Sequence, residues 1–404
     1  MFRPTGLVSI HFIALGDFSQ LKPVGGTSLA DYISLKPVHD TLTPVQQGRQ
    51  LWERFDKVIL LTQQMRQADD ELYAALLERL RDGKSTCCCC DDLESQSHSK
   101  CLKKPQPRKC RRKEPQVKCD YHLLMDRVLD PKSAEGQCSN WKECRMLCWS
   151  NPVSGAWSRD EVMTLAANTH QPVLVSTAKD ERPSLQPLPN SDRRRLRGLP
   201  DNKTKSLPGV LPLVKGMRVM LRWNVATELG LTNGAEGEVV EVVLDPREHL
   251  PASLIGPSEA TVPVWHQLRY QPQCVIVEFD HLDLLRPLDG LPQTRKGKFR
   301  VPITPIKNEF LYTRPARHGQ PAAKAWNVRR IQIPLIPCRA MTTHMCQGRT
   351  LGKFIVDLDV HGIRGEKLSQ LYVMLSRGQR FADLRILRAF HHSLMHLRPP
   401  FAAA

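Results

Sequence analysis

The sequence predicts an α/β protein that carries a β-rich insertion. Helix and strand patterns alternate in residues 1–83 and return after Pro334. Between them, residues 216–280 contain several short apolar strands separated by glycine turns. The turn Asn233-Gly234 is typical of such strand pairs, so we expect a small barrel in this segment.

The first segment, residues 1–83, contains two apolar stretches and one helical pattern. The N-terminal stretch leading to Gly16 is interpreted as a buried strand, because no signal-peptide cleavage site follows it. Val58-Ile59-Leu60-Leu61 is interpreted as a second strand.

A helix is predicted after these strands, with Asp69 or Asp70 as its N-cap and Gly83 at its end. Its apolar face is marked by four leucines: Leu72, Leu76, Leu77 and Leu80.

Residues 84–150 have a different composition. They contain the run Cys87 to Cys90, the basic stretch Lys103 to Lys113 and little apolar periodicity. We interpret them as a low-complexity insert in which order returns near Trp141.

The second half divides into four segments. Residues 151–214 contain the strand Val173-Leu174-Val175 and an Arg-rich linker through Arg193-Arg194-Arg195. Residues 215–325 form the β-rich part, with strands predicted at 217–221, 238–243 and 274–279.

Residues 326–395 return to alternation, and 396–404 form a tail. A helix is predicted near Met341 to Cys346, and a strand at Phe354 to Leu358. A final helix carries Leu368, Leu371, Tyr372 and Leu375 on one face.

The composition favours a polyanionic partner. The formal net charge is +17 and the pI is about 9.5, and clustered Lys and Arg gain free energy by releasing counterions from phosphate backbones. A solvated basic surface is the alternative. No apolar run is long enough to span a bilayer. The 13 cysteines without a secretory signal indicate a reducing, intracellular compartment without disulfide bonds.

The cysteines do not predict a metal site. Structural zinc sites favour cysteine pairs two to four residues apart, and only Cys144-x-x-x-Cys148 has this spacing cleanly. A basic, zinc-stabilised nucleic-acid module is the weaker alternative to an insert without metal.

Gln20 and Arg66 are the first candidate site residues. An apolar strand ending in Gly16-Asp17 places polar groups at a sheet edge, where nucleotide sites of α/β proteins form, and Gln20 could sense a terminal phosphate. Arg66 lies between a strand and a helix N-terminus, a place where guanidinium groups often meet phosphate. An ordinary turn, a magnesium-binding Asp and a surface charge are the competing interpretations.

The remaining candidates lie near the C-terminus. Thr343 and His344 could contact a nucleic-acid backbone, and Gln347-Gly348 lets the main chain approach a ligand. Arg377 ends the last predicted helix, where it could act as an arginine finger on a transferring phosphoryl group.

The order of the motifs resembles one family. The chain reads Gly-Asp-x-x-Gln-Leu-x-Pro, Met-Arg-Gln, Lys-Gly-Met-x-Val-Met-Leu-x-x-Asn, Leu-x-Asn-Gly-x-x-Gly, Gln-Gly-x-Thr-Leu and Tyr-Val-x-Leu-Ser-Arg. This series resembles the Pif-type helicases of superfamily 1, which are related to RecD and to the helicase parts of Helitron-like transposons.

The resemblance implies that residues 1–83 hold a partial first RecA-like domain and the start of a second one. This second RecA-like domain, of the P-loop NTPase type, would continue in residues 151–214 and 326–395 and carry an SH3-like barrel in residues 215–325. It implies ATP and Mg²⁺ as cofactors, single-stranded DNA as partner, 5′→3′ movement, a nuclear location and roles in DNA repair and recombination.

The resemblance also assigns roles to residues. Gln20 and Arg66 would face the γ-phosphate, and Arg377 would be the finger. The nucleotide-side residues would be Gly16, Asp17, Gln347 and Gly348, of which the last two couple nucleotide to DNA. The DNA-facing residues would be Asn224, Thr343 and His344.

The sequence also departs from the family. A Gly-x-x-x-x-Gly-Lys-Ser/Thr P-loop and an Asp-Glu pair are expected upstream of Gly16, which only 15 residues precede. Gly83-Lys84-Ser85 is not that loop, because Glu78 stands where its first Gly should be. Lys22 replaces a proline, and Met345-Cys346 replace a Lys-Ser pair. We therefore expect an N-terminally truncated helicase homologue or, alternatively, a catalytically dead remnant that only binds nucleic acid or a partner.

Overall fold

The structure is a computed structural model that describes residues 13–23, 26, 28, 43–86, 118–130, 132–133, 141, 144–182, 188–251, 254, 263–280, 299–314, 325–358 and 367–397. The chain divides into two compact units, the first from residues 1–149 and 346–404 and the second from residues 150–345. Within the described ranges, no helix combines the length and apolar character needed to cross a bilayer.

The described α-helices are α1 Pro44–Trp52, α2 Glu71–Arg81, α3 Asp120–Met125, α4 Asn151–Thr169, α5 Asn190–Arg197, α6 Thr343–Cys346 and α7 Lys367–Leu375. The described strands are β1 Arg145–Cys148, β2 Val173–Thr177, β3 Lys179–Glu181, β4 Val210–Leu213, β5 Arg218–Leu221, β6 Glu236–Val243, β7 Trp265–Gln267, β8 Cys274–Phe279, β9 Arg300–Ile303, β10 Ile306–Tyr312, β11 Trp326–Gln332, β12 Leu335–Pro337, β13 Ala340–Thr342, β14 Phe354–Val356 and β15 Leu384–Ile386.

The first unit contains a parallel sheet. Strand β14 pairs in parallel with β1 on one side, where Met146 faces Ile355, and with β15 on the other. Most side chains of these strands are buried, since a parallel sheet is covered on both faces. The mixed α/β class with a parallel sheet is therefore confirmed.

Helix α2 begins and ends as the sequence predicts. The Asp70 carboxylate accepts a 3.0 Å hydrogen bond from the Tyr73 N–H, which caps the helix N-terminus. Gly83 adopts a left-handed φ of 68° just beyond the helix end. Helix α2 packs on α7, and Leu76, Leu77 and Leu80 are buried.

Part of the predicted low-complexity segment is ordered. In α3, Asp120 is 1% exposed and accepts two hydrogen bonds from Arg79 of α2, at 2.7 and 3.1 Å. Its Oδ2 also accepts the Thr86 N–H at 2.8 Å. Cys87 to Cys90 and Lys103 to Lys113 lie outside the described residues.

One predicted strand of the first segment does not form, and the other lies largely outside the described residues. Val58, Ile59, Leu60 and Leu61 lie outside any strand, and each is more than 80% exposed. Ile13 and Leu15 near the N-terminus are equally exposed and outside any strand. An apolar run forms a strand only where a neighbouring strand offers hydrogen bonds, and the described chain provides none here.

The second unit is built on three sheets. Their strand orders are β12-β5-β6-β8-β9, which is antiparallel, β10-β11-β3, also antiparallel, and β4-β2-β7. All three strands predicted between residues 217 and 279 are confirmed. Closure of the five-stranded sheet into an SH3-like barrel stays a prediction.

Gly237 of the Leu-x-Asn-Gly-x-x-Gly motif has a structural role in this sheet. A Cβ at Gly237 would lie 2.6 Å from the Glu278 carbonyl oxygen of the neighbouring strand. Gly234 adopts a φ of 103° in the turn between β5 and β6. These glycines are therefore explained by chain packing without a ligand.

Two local predictions are wrong. The Arg-rich segment predicted as a linker forms α5, in which Asp192 and Leu196 are buried. The helix predicted over Met341 to Cys346 is shorter, since Ala340–Thr342 form β13 and only the next four residues are helical.

Candidate anion-binding site

Two arginine side chains of the first unit meet at the end of α7. Arg66 Nη1 donates a 2.9 Å hydrogen bond to the Ser376 carbonyl, and Arg66 Nε donates a 3.1 Å bond to Thr350 Oγ1. The next residue along the helix end is Arg377. The loop before α2 and the end of α7 thus place two positive charges side by side.

Arg377 is buried without a carboxylate. It is 1% exposed, and it donates to the Val373 carbonyl at 2.6 Å, to Ser376 Oγ at 2.6 Å and to the Arg349 carbonyl at 3.4 Å. Burial lowers the pKa of the Arg377 guanidinium, and the positive charge of Arg66 lowers it further. Across the described ranges, no ion pair involves either arginine.

The neighbouring titratable groups do not supply the missing negative charge. Burial raises the pKa of the Cys346 thiol to about 12, and it also raises the pKa of Tyr73 and Tyr372. These groups are therefore neutral near pH 7. A buried cation with neutral acceptors alone keeps part of its desolvation cost, which an oxyanion can offset.

The end of α7 is held in place by Gln67. Its Nε2 donates to the Ser376 carbonyl at 3.5 Å and to the Gly378 carbonyl, on both sides of Arg377. Gly378 also forms a bridge to Leu351, and a Cβ at this glycine would lie 2.5 Å from the Phe354 ring. Gln67 and Thr350 belong to the sequence motifs, but only the structure shows that they position the arginines.

Two further candidates, Gln347 and Gln20, form a hydrogen bond with each other. Gln347 Nε2 donates a 3.2 Å hydrogen bond to Gln20 Oε1, and Gln20 Nε2 donates to Asp17 at 3.2 Å. Gly348 adopts a left-handed φ of 79° with open space around its Cα. Gly16 is exposed and directly precedes the turn from Asp17 to Gln20. The segment from Gln347 to Thr350 therefore joins the two amides to Arg66.

The candidates for DNA contact lie in the second unit. His344 and Asn224 are exposed, whereas Thr343 is 1% exposed. The Asn224 side chain accepts a 2.8 Å hydrogen bond from the Asn233 N–H, which closes its own loop. His344 and Asn224 are thus accessible to a nucleic acid, whereas Thr343 is not.

Within the described ranges, no three side chains form a group that could hold a metal ion by themselves. Asp17 is the one carboxylate among the predicted nucleotide-side residues, and its two oxygens accept hydrogen bonds from the Ser19 N–H and from Gln20 Nε2. Mg²⁺ at nucleotide sites is bound through one or two carboxylates together with water and the phosphates of the nucleotide, so Asp17 would be the side chain to contribute here.

Comparison with known proteins places the fold. No family model matches the chain, and no curated protein matches it. The Pif1 helicase from Candida albicans matches with 21% identity and a TM-score of 0.50, covering 95% of this chain and 65% of that one. The Bacteroides Pif1 helicase in complex with ADP-AlF3 and ssDNA matches with 17% identity and a TM-score of 0.47, covering 85% of this chain and 54% of that one.

The chain is therefore similar in fold to Pif1 helicases over most of its length, as its motifs predict. It spans about two-thirds of the length of the Candida protein and about half that of the Bacteroides protein.

Proposed function

We propose that the chain is the C-terminal portion of an ATP-dependent 5′→3′ DNA helicase of the Pif type, which binds single-stranded DNA and couples it to ATP hydrolysis. One observation carries the proposal: Arg66 and Arg377 converge on the end of α7 with neutral acceptors and no carboxylate. Such a pair suits the terminal phosphate of a nucleotide, because charge-assisted bonds to phosphate are stronger than bonds to carbonyls.

The two arginines would act in sequence. Arg66 is only partly buried and meets an incoming phosphate first. Arg377 is 1% exposed, so its guanidinium must leave the Val373 carbonyl before it contacts a phosphoryl oxygen. It then stabilises the charge that develops on the transferring phosphoryl group.

Gln347 to Thr350 would couple this event to DNA. Arg66 is bonded to Thr350, and Gln347 is bonded to Gln20, so a phosphate that displaces either side chain shifts this segment. The segment directly follows α6, which carries the exposed His344. In this proposal Thr343, His344 and Asn224 contact the DNA backbone.

An ATPase assay tests the proposal. We expect purified chain to release phosphate from ATP faster when a single-stranded oligonucleotide is added. Arg377→Ala and Arg66→Ala should each reduce that turnover by about 100-fold or more, as expected for removal of a phosphoryl-stabilising cation. Arg380→Ala, three residues away and exposed, is the matched control and should retain turnover.

The alternative is a protein that binds nucleic acid or a partner without hydrolysing ATP. Gly83-Lys84-Ser85 does not supply the phosphate-binding loop, because Glu78 of α2 occupies the position of its first glycine. Turnover equal to a protein-free blank, with DNA binding intact, would support this alternative and contradict hydrolysis by the chain.

A further inference from the structure

The second unit contains a basic cleft that the proposed function does not use. Its volume is about 1070 Å³, and it is lined by β3, α5, the turn at residues 245–247 and the loop at residues 267–273. None of the nucleotide-side or DNA-side candidates named above lines it.

Helix α5 turns one of its faces into this cleft. Asp192 and Leu196 are buried, and the Asp192 carboxylate forms an ion pair with Arg314. Arg193 and Arg197, four residues apart on the next face, line the cleft. Arg194 and Arg195 belong to the same helix and are exposed, but they lie outside the lining.

The acidic residues of the cleft already have partners. Asp180 pairs with the buried Arg330 at 2.7 Å, and Glu181 pairs with Lys179 at 2.8 Å.

Asp245 pairs with Arg247 at 2.8 Å. This leaves Arg193, Arg197 and Arg269 as lining cations for which the described residues provide no ion pair. The cleft therefore carries an uncompensated positive charge.

An aromatic ring stands beside these cations. Tyr270 is 37% exposed, and one of its faces is covered by the Arg247 guanidinium, 4.3 Å from the ring centroid. The loop that carries Arg269 and Tyr270 is held by Glu248, whose carboxylate accepts both of their N–H groups, at 2.8 and 2.9 Å. Gln271 donates to the Ile331 carbonyl at 2.7 Å and fixes the same loop to β11. The loop that carries Arg269 and Tyr270 is thus fixed before any ligand binds.

We propose that this cleft is a separate binding site for single-stranded nucleic acid. Arg193, Arg197 and Arg269 contact successive phosphates, and a base stacks on the free part of the Tyr270 ring. Guanidinium groups together with an aromatic surface are the combination that recognises single strands without sequence preference. An acidic peptide would use the cations but would gain little from the ring, so we favour the nucleic acid.

Fluorescence anisotropy with the full chain and a labelled oligothymidylate tests the proposal. Arg193→Ala/Arg197→Ala should weaken binding about tenfold at moderate salt. It should also make the slope of log K against log salt less negative by about 1.4, which corresponds to two lost phosphate contacts. Tyr270→Ala should weaken binding about tenfold with little change in the salt slope.

The matched control is Arg194→Ala/Arg195→Ala, which removes the same charge from the same helix outside the cleft. Equal losses for both double variants would show a general charge effect and overturn the proposal, as would unchanged binding by Arg193→Ala/Arg197→Ala. Displacement of the oligonucleotide by polyglutamate, with no effect of Tyr270→Ala, would assign the cleft to an acidic protein instead. Arg66→Ala/Arg377→Ala should leave the Tyr270 and arginine effects intact, so a failure of ATP hydrolysis does not decide this test.

Discussion

Arg330 of the second unit and Arg377 of the first are both fully buried, yet their surroundings differ. Arg330 forms two hydrogen bonds with the Asp180 carboxylate, at 2.7 and 2.8 Å, and further bonds with the Leu196 and Leu207 carbonyls. Arg377 has only carbonyl and hydroxyl acceptors and lies beside the positive Arg66. A fixed carboxylate makes the first arginine part of the fold, whereas the second lacks one, as the proposed phosphate site requires.

The largest expected effect comes from breaking the compensated pair. Asp180→Ala leaves the Arg330 charge buried without a counter-charge, so we expect the free energy of unfolding to fall by about 3–5 kcal/mol. Urea unfolding followed by tryptophan fluorescence measures the loss. Glu309→Ala is the control. Glu309 forms an ion pair with Arg329, and their side chains are 46% and 42% exposed, so this substitution should cost less than about 1 kcal/mol.

A second test concerns the helix end that carries Arg377. Gly378→Ala would place a methyl group against the buried Phe354 ring, so we expect a loss of about 1–3 kcal/mol and disturbed binding of anions. Gly352→Ala has open space around its Cα and should be nearly neutral. Equal stability of the two variants would contradict the packing described at Gly378.

A third test uses pH at the thiol beside Arg377. Burial raises the pKa of Cys346 to about 12 from its ordinary value of 9.0, so the thiol of the unfolded chain ionises first. This contribution to stability is complete below pH 9 and is lost as the pH rises towards 12, on the order of 1 kcal/mol per pH unit. The urea midpoint of the wild type should therefore fall more between pH 8 and pH 11 than that of Cys346→Ala. Parallel curves would show that the thiol is accessible to water.

The smallest expected effect on the free energy of unfolding is that of Arg377→Met, and it contrasts with the effect of Arg330→Met. Arg377→Met removes a buried cation that has no counter-charge, so the free energy of unfolding should change by less than about 1 kcal/mol or should increase. Arg330→Met should destabilise about as strongly as Asp180→Ala, because Asp180 then stays buried and unpaired. A large loss of stability for Arg377→Met would indicate a structural role and would weaken the proposed phosphate site.

The sequence predicts features that depend on local patterns. Helix α2 was predictable from its leucine spacing, from Asp70 and from Gly83, because capping and periodicity act within a few residues. Three strands of the five-stranded sheet, β5, β6 and β8, were predictable for the same reason, whereas β9 and β12 were not predicted. The similarity to Pif1 helicases followed from the order of short motifs.

The rest depends on partners distant in the chain. Val58 to Leu61 has the composition of a strand, but pairing requires a neighbour that its own residues cannot specify. Helix α5 has a single buried leucine, and its buried Asp192 is matched by Arg314, 122 residues later. The burial of Arg377 and the choice of its acceptors were likewise beyond sequence patterns.

The position of Gln67 has a mechanical consequence. Its amide holds the carbonyls on both sides of Arg377, while the adjacent Arg66 holds the first of them. The backbone on both sides of Arg377 is therefore held by hydrogen bonds. If a ligand displaced Arg66, the hydrogen bonds from Gln67 would still hold the end of α7. Rotation of the Arg377 side chain would then cost less free energy than movement of α7.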